Sequence, residues 1–276
     1  MNKLLICLLF LGIFLASCEP VSLQSQDEKV VYLPTVIASR TAVWQPEPGT
    51  TWQWQLSGQI DTSIDVTMYD IDLFDTSQSV IDALHQDGRF VICYFSAGSF
   101  EDWRPDAAEF PSNVLGNPLD NWPGESWLDI RQIDTLSSIM GNRLDLAVEK
   151  KCDGVEPDNV DGYSNDSGFP LTSTHQLTYN MWLADEAHDR GLSIGLKNDL
   201  EQIHELLPHF DWALNEQCFE YDECEMLLLF IQDGKAVFGV EYEGELADFC
   251  PQADAFQFSW LLKEFELGPE YEACLK

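Results

Sequence analysis

Two stretches carry most of the chain's chemical potential. One is Glu156-Pro157-Asp158-Asn159-Val160-Asp161-Gly162-Tyr163. The other is Asn215-Glu216-Gln217-Cys218, with Lys197-Asn198 between the two in sequence. Paired carboxylates without a metal motif suit glycosidic bond cleavage. One acid protonates the leaving oxygen, and the other supports the oxocarbenium-like transition state, directly or through water. Asp70, Asp72, the run Tyr94-Phe95-Ser96-Ala97-Gly98-Ser99, and Glu241-Tyr242 follow other apolar runs in the same way. Trp54, Tyr69, Tyr94, Tyr163 and Tyr242 offer ring faces on which sugars stack, unless they fill the core.

Other chemistries lack their residues. There is no GxSxG, and Ala97-Gly98-Ser99 does not make a nucleophile elbow. His85, His175, His188, His204 and His209 form no HExxH and read as surface or capping residues. An EF-hand loop with Gly162 at its sixth position would need an acid where Pro157 stands. No CxxC, GxGxxG or GxxxxGK[ST] is present, so no metal and no cofactor are expected. The 276 residues carry 14 Lys+Arg against 48 Asp+Glu, a net charge of -34. That charge excludes nucleic acid, whose phosphates need a basic patch, and favours solubility and a neutral or cationic ligand.

These residues must be positioned by the elements that precede them. Short apolar runs at 52–56, 66–70, 90–95, 154–156, 193–197, 212–214, 236–240 and 255–258 read as strands. Helical patterns at 77–86, 133–149, 174–190, 199–207 and 223–231 lie between them. Gly88, Gly191 and Gly234 stand where a left-handed helix cap belongs. The alternation predicts an α/β fold, a (β/α)8 TIM-type barrel in a single catalytic domain, with an open doubly wound sheet as the alternative. Catalytic groups in such a barrel sit at the C-terminal strand ends, where the acids above fall.

The N-terminus bears on compartment. Met1 to Ser17 has a basic Lys3, a dozen apolar residues and Leu15-Ala16-Ser17 before Cys18. This resembles a bacterial lipoprotein signal, with Cys18 as the lipidated first residue of the mature chain. The expected organisation is a signal peptide over 1–17, a tether over 18–50 and the barrel over 51–276. The chain is expected to be exported, held at the cell surface or envelope only by its lipid, and monomeric. Export permits disulfides. Cys218 and Cys224, close in sequence, are the first expected pair, and Cys250 with Cys274 the second.

Several strings together resemble glycoside hydrolase family 114. They are Trp52-Gln53-Trp54-Gln55-Leu56, Tyr69-Asp70-Ile71-Asp72-Leu73-Phe74-Asp75, Ile92 to Ser99 followed by Glu101-Asp102-Trp103-Arg104-Pro105, Cys152 to Tyr163, Gly195-Leu196-Lys197-Asn198, and Asn215 to Cys218 with Cys224. The similarity spans roughly residues 52–242. It implies a (β/α)8 barrel and endo-α-1,4-polygalactosaminidase activity, the internal cleavage of α-1,4-linked galactosamine chains. It implies Asp158 and Glu216 as the catalytic pair. A cationic aminosugar polymer suits the acidic chain, with Asp70, Asp72, Glu156 and Glu241 as candidate ammonium ligands. Tyr94, Lys197, Asn198 and Tyr242 are further candidate substrate-binding residues. Carboxyls on strands four and six of one rim can approach to about 5–6 Å, the retaining distance. Lys197 between them favours Asp158 as nucleophile, leaving Glu216 as acid/base. The alternatives are another α-galactoside hydrolase and a non-catalytic sugar-binding lipoprotein. For the anchor, Cys18→Ala is expected to leave the protein unprocessed or to shift it from the membrane to the soluble fraction; fractionation unchanged from wild type refutes lipidation at Cys18.

Overall fold

The computed structural model describes residues 43–274. The expected signal peptide, Cys18 and residues 18–42 of the expected tether lie outside them. In chain order the elements are β1 (Trp52–Gln55), β2 (Met68–Asp72), α1 (Gln78–Gln86), β3 (Phe90–Ser96), β4 (Ser99–Glu101), β5 (Leu115–Pro118), β6 (Glu125–Leu128), α2 (Ile133–Lys150), β7 (Gly154–Asp158), α3 (Ser173–Asp189), β8 (Ser193–Lys197), α4 (Ile203–Leu206), β9 (Trp212–Glu216), α5 (Leu228–Gln232), β10 (Val237–Glu241), α6 (Leu246–Phe256), β11 (Ser259–Leu262) and β12 (Glu272–Ala273). The main sheet runs β1-β2-β3-β7-β8-β9-β10-β11-β12. Its first eight strands pair in parallel and make the expected (β/α)8 barrel; β12 is antiparallel to β11.

The barrel is sealed between β11 and β1 by side chains and the C-terminal segment. Trp52 Nε1 donates to Ser259 O at 2.9 Å, and Leu56 N to Leu267 O at 3.0 Å. Lys263 Nζ, nearly buried, donates to Gly268 O at 2.8 Å and to Gln53 Oε1 at 3.3 Å. Burial lowers the Lys263 ammonium to about 8. The end of the expected tether also packs on the barrel: Trp44 stacks on Phe90 with centroids 4.1 Å apart.

Strand parity decides what faces the barrel interior, because side chains alternate with period two. Trp52, Trp54, Met68, Ile92, Trp212, Leu214, Phe238 and Val240 form the inner cluster. Tyr69, Ile71, Val91, Cys93, Val155, Ile194 and Leu196 pack outward in the larger cluster that includes the helices. Gly195 gives way to the inner layer: a Cβ there would lie 2.3 Å from the Trp212 ring.

The last strand differs from the sequence expectation. Residues 255–256 end α6, Gln257 caps it in the left-handed conformation (φ 62), and β11 begins at Ser259. The alternating Phe256 and Phe258 mimic a strand over a window too short to separate it from a helix end. The expected helices at 199–207 and 223–231 each open as a 3-10 turn before α4 and α5. Gly88, Gly191 and Gly234 all take positive φ after their helices, as the sequence predicts. The small antiparallel sheet β4-β6-β5, built from the long connection after β3, was not anticipated.

Both expected cystines form, Cys218–Cys224 and Cys250–Cys274, and the other two cysteines among the described residues make Cys93–Cys152. Their sequence separations are 6, 24 and 59 residues. Loop-closure entropy makes the longest the most stabilising. Replacing Cys93 and Cys152 together by Ala is expected to cost about 4 kcal/mol, against about 2 kcal/mol for Cys218 with Cys224. Denaturant midpoints at constant slope measure both; a smaller loss for the longer loop contradicts the entropic account.

Candidate active site

Lys197, at the end of β8 and 2% exposed, is the hub of the barrel mouth. Its Nζ lies 2.9 Å from Asp158 Oδ1, 3.1 Å from Glu156 Oε1 and 3.3 Å from Glu216 Oε2. It also sits 4.8 Å above the Trp54 ring, a cation–π contact. Burial opposes its charge, but Asp158, Glu156 and Glu216 outweigh that and hold the ammonium well above its usual range. The 2.9 Å and 3.3 Å contacts cap the Asp158 Oδ1 to Glu216 Oε2 separation at their sum, 6.2 Å.

Each member of the pair has further donors. Tyr94 Oη donates to Asp158 Oδ2 at 3.0 Å. Asn198 Nδ2 donates to Glu216 Oε2 at 3.2 Å, and the Tyr242 hydroxyl donates to Glu216 Oε1. Asn198 is itself fixed, its Oδ1 accepting from Glu216 N at 3.0 Å and Asn215 Nδ2 at 3.2 Å. The surroundings of Glu216 are therefore polar: Trp212 and Leu214 share its inward parity but lie deeper in the barrel.

Below the pair lies a buried carboxyl couple. Glu156 Oε2 accepts from Trp54 Nε1 at 3.1 Å. Asp70 is fully buried, and neither of its oxygens receives a hydrogen bond. Glu156, Lys197 and Asp158 act on it through their charges. Burial first, then the Glu156 charge, push the Asp70 carboxyl well above its ordinary range. Burial raises Glu156 to about 7, with Lys197 opposing.

The loop after Asp158 is held by backbone. Ala97 N and Gly98 N both donate to Asp158 O, at 2.9 and 3.0 Å. A Cβ on Gly98 would lie 1.6 Å from Asn159 O, so only glycine permits this approach. The β4-β6-β5 sheet then forms a wall beside the rim. Trp122, Trp127 and residues 117–120 line one lobe of the cleft with Asp158 and Lys197, a space of 560 Å³. A second lobe, 580 Å³, lies past Glu216 between Tyr163, Asp199, Tyr221 and Phe265. Both are ligand-sized.

The structure thus unites Asp158, Glu216, Tyr94, Glu156, Lys197, Asn198, Tyr242 and Asp70, but it places Asp72 and Glu241 elsewhere. Asp72 is clamped by Arg104, Nη1 to Oδ1 at 3.0 Å and Nη2 to Oδ2 at 2.7 Å, and by the amides of Phe74 and Asp75. Its acceptor capacity is spent on anchoring the inserted segment. Glu241 has outward parity, since Val240 faces inward; it accepts from Phe219 N at 3.1 Å and Trp260 Nε1 at 3.2 Å. Asp70 and Glu156 lie beneath the pair, sealed from solvent. Tyr69 is bound to Asp61 O and Ile64 O, away from the cleft, and Trp54 belongs to the inner cluster. His175 closes a helix capping box as expected, whereas His85 and His188 are partly buried and pair with Asp153 and Asp211, away from the cleft. Trp122, Trp127 and Asp199 were missed. Asp199 directly follows Lys197-Asn198, which marked it; nothing in sequence placed the two tryptophans at the rim.

Comparison with known proteins agrees with this geometry. No curated protein sequence matches the chain. A crystal structure of Aspergillus fumigatus Ega3 in complex with galactosamine is 44% identical, covering 85% of this chain and 98% of that one, with a TM-score of 0.81. The glycoside hydrolase domain of PelA from Pseudomonas aeruginosa shares the fold at 10% identity and TM-score 0.65, over 84% of this chain and 100% of that one. Eubacterium rectale Amy13B shares it at 10% identity and TM-score 0.53, covering 76% and 63%. The profile of glycoside-hydrolase family GH114 matches residues 34–276. With that match over most of its length and a carboxylate pair bridged at the barrel mouth, the chain is a glycoside hydrolase and belongs to family GH114.

Proposed function

We propose that the chain is an exported endo-glycosidase that hydrolyses α-1,4-linked galactosamine polymers through Asp158 and Glu216. The observation that carries this reading is the Lys197 bridge, which holds two cleft-facing carboxyls within 6.2 Å at the divide between two lobes. The galactosamine complex of the 44% identical Ega3 supports the aminosugar substrate. A cleft open on both sides of the pair suits cleavage within a chain. The intact pair favours an enzyme over a sugar-binding lipoprotein.

The separation falls below the roughly 6.5–9.5 Å that inverting enzymes need for a water, which supports retention. Asp158 meets Lys197 and Tyr94 as an acceptor, a setting for a carboxylate nucleophile. Its oxygen attacks the anomeric carbon while Glu216 gives its proton to the leaving glycosidic oxygen. Water then adds to the anomeric carbon of the glycosyl–Asp158 ester, and Glu216 takes the proton back, freeing Asp158. Lys197 fixes the two carboxyls in position, and Tyr242 and Asn198 orient Glu216.

Three disulfides support an oxidising compartment. Among the described residues no helix is long and apolar enough to cross a membrane. Attachment is assigned to the lipid on Cys18, and the protein is taken as a monomer.

Asp158→Asn and Glu216→Gln are each expected to lower kcat on a galactosamine polymer by at least about 100-fold with the fold intact. Glu216→Gln should recover on a substrate with an activated aryl leaving group, whereas Asp158→Asn should not; the reverse pattern swaps the roles. NMR of the first-formed product should show the α anomer, and a β anomer rules out retention. KM for the polymer should rise from low to molar salt as screening shortens below about 8 Å. A salt-independent KM removes charge from substrate recognition.

A further inference from the structure

Two buried serines close the turn that holds Asp158. Ser96 ends β3 and Ser99 opens β4, and neither is exposed. Between them lie Ala97 and Gly98, whose amides donate to Asp158 O. The two hydroxyl oxygens are 2.6 Å apart, and Ser99 N donates to Ser96 Oγ at 3.1 Å.

The serines belong to a longer chain of hydrogen bonds. Asn159, left-handed at φ 60, donates through Nδ2 to Ser96 Oγ at 2.9 Å and reaches Ser99 Oγ at 3.3 Å. The same Nδ2 lies 3.5 Å from Asp158 Oδ2. At the other end Ser99 Oγ donates to Glu125 Oε2 at 2.8 Å. An amide nitrogen only donates and a carboxylate only accepts, so the two ends fix the direction of both hydroxyls. The order is Asn159 to Ser96 to Ser99 to Glu125. Each hydroxyl that gives its proton onward is a better acceptor for the group behind it. Glu125 opens β6, is 8% exposed and is not among the residues lining either lobe.

Resting on the reaction proposed above, we propose that Glu125 is a positioning residue for Asp158: as a carboxylate it orders the Ser99–Ser96–Asn159 chain and so fixes the nucleophile and the turn that carries it. The inserted sheet thereby takes part in the reaction without touching substrate.

Protonation removes this order. A carboxylic acid also donates, so a neutral Glu125 can give its proton to Ser99 Oγ and let Ser99 turn back on Ser96. Ser96 then receives from both sides, and its own proton has lost its acceptor. Burial pushes Glu125 up to about 7; the Ser99 bond opposes, the charges of Glu101 and Asp158 add, and Arg104 opposes. Tyr94, the other donor to Asp158, keeps its proton throughout, because burial and then the Asp158 charge hold its hydroxyl well above the usual range. The ordered chain is therefore the state above about pH 7, and it is lost as pH falls through that value.

The test is the pH dependence of kcat on a galactosamine polymer, for the full-length wild type, Glu125→Gln, Ser99→Ala and the double variant. In the wild type kcat should fall at least about threefold as pH drops through about 7. Glu125→Gln, whose amide both donates and accepts, should lack that step and stay near the wild type's low-pH rate, with KM within about twofold. Ser99→Ala cuts the chain and should lower kcat above the step at least about fivefold, again with little change in KM. The double variant should be no slower than the slower single one, because both cut the same chain. A purely structural role would lower the denaturant midpoint and leave the pH step in place. A step retained in Glu125→Gln, or losses that multiply in the double variant, overturns the proposal. Should Glu125→Gln not fold, Ser99→Ala decides alone: it must lack the step, and a retained step refutes Glu125. If the wild type does not hydrolyse the polymer, the reaction proposed above falls and this role with it, whereas an active wild type with an unaltered step in the variants removes Glu125 alone.

Discussion

One buried ammonium organises the mouth of this barrel. Lys197 faces the interior by strand parity and has no water to solvate it, so it stands only because carboxyls surround it. Three strands deliver them: Glu156 and Asp158 from β7 and Glu216 from β9, flanking the lysine's own β8. The arrangement works in both directions. The carboxyls make the buried lysine tolerable, and the lysine fixes two of them at a defined separation. A change at Lys197 would leave Glu156 buried beside Asp70 with no cation.

Period-two alternation explains which acids could be recognised from sequence alone. Glu216 ends its strand on the same parity as the apolar inner residues Trp212 and Leu214, and the strand-end argument placed it and Asp158 on the rim, while the family resemblance singled them out as a pair. Glu241 also ends a strand, yet one position of register turns it to the outer face and leaves Tyr242 to line the mouth. Deciding that parity needed the inner face of β10, and every residue of Val237–Glu241 is buried, so no polar alternation marked it. Asp72 failed for a different reason. Its partner Arg104 lies 32 residues away, in an insertion whose short strands have little periodicity.

That insertion shows where local sequence stops informing. The barrel's strands and longer helices repeat a pattern with a known period, and their existence was readable within a few residues. The β4-β6-β5 sheet is held by contacts of long range: Arg104 to Asp72, and Arg143 to Asp106 and to Ser96 O. Two arginines buried among carboxylates stand in for the apolar core that so small a sheet cannot bury. Their pairing became visible only once β2, α2 and the insertion were brought together. The tryptophans of the cleft wall, Trp122 and Trp127, depend on it entirely.

The same acids that shape the cleft weaken the fold at neutral pH. Asp161, Glu125, Glu156 and Asp199 have carboxyls raised by burial to about 6, 7, 7 and 8. A carboxyl whose folded-state value lies above its unfolded one of about 4 favours the fold most below that unfolded value. That contribution is lost as pH rises through about 6 to 8, when the chain must ionise groups that burial keeps from water. Glu156 is needed to hold Lys197 and Glu125 bonds Ser99, whereas Asp161 and Asp199 line the open cleft. A cationic ligand there reverses the loss, because each acid it neutralises no longer opposes folding. An empty cleft at neutral or higher pH therefore leaves these acids opposing the fold. Under the function proposed above, an ammonium-bearing substrate relieves that repulsion, so specificity for charge and stability of the site would draw on the same residues.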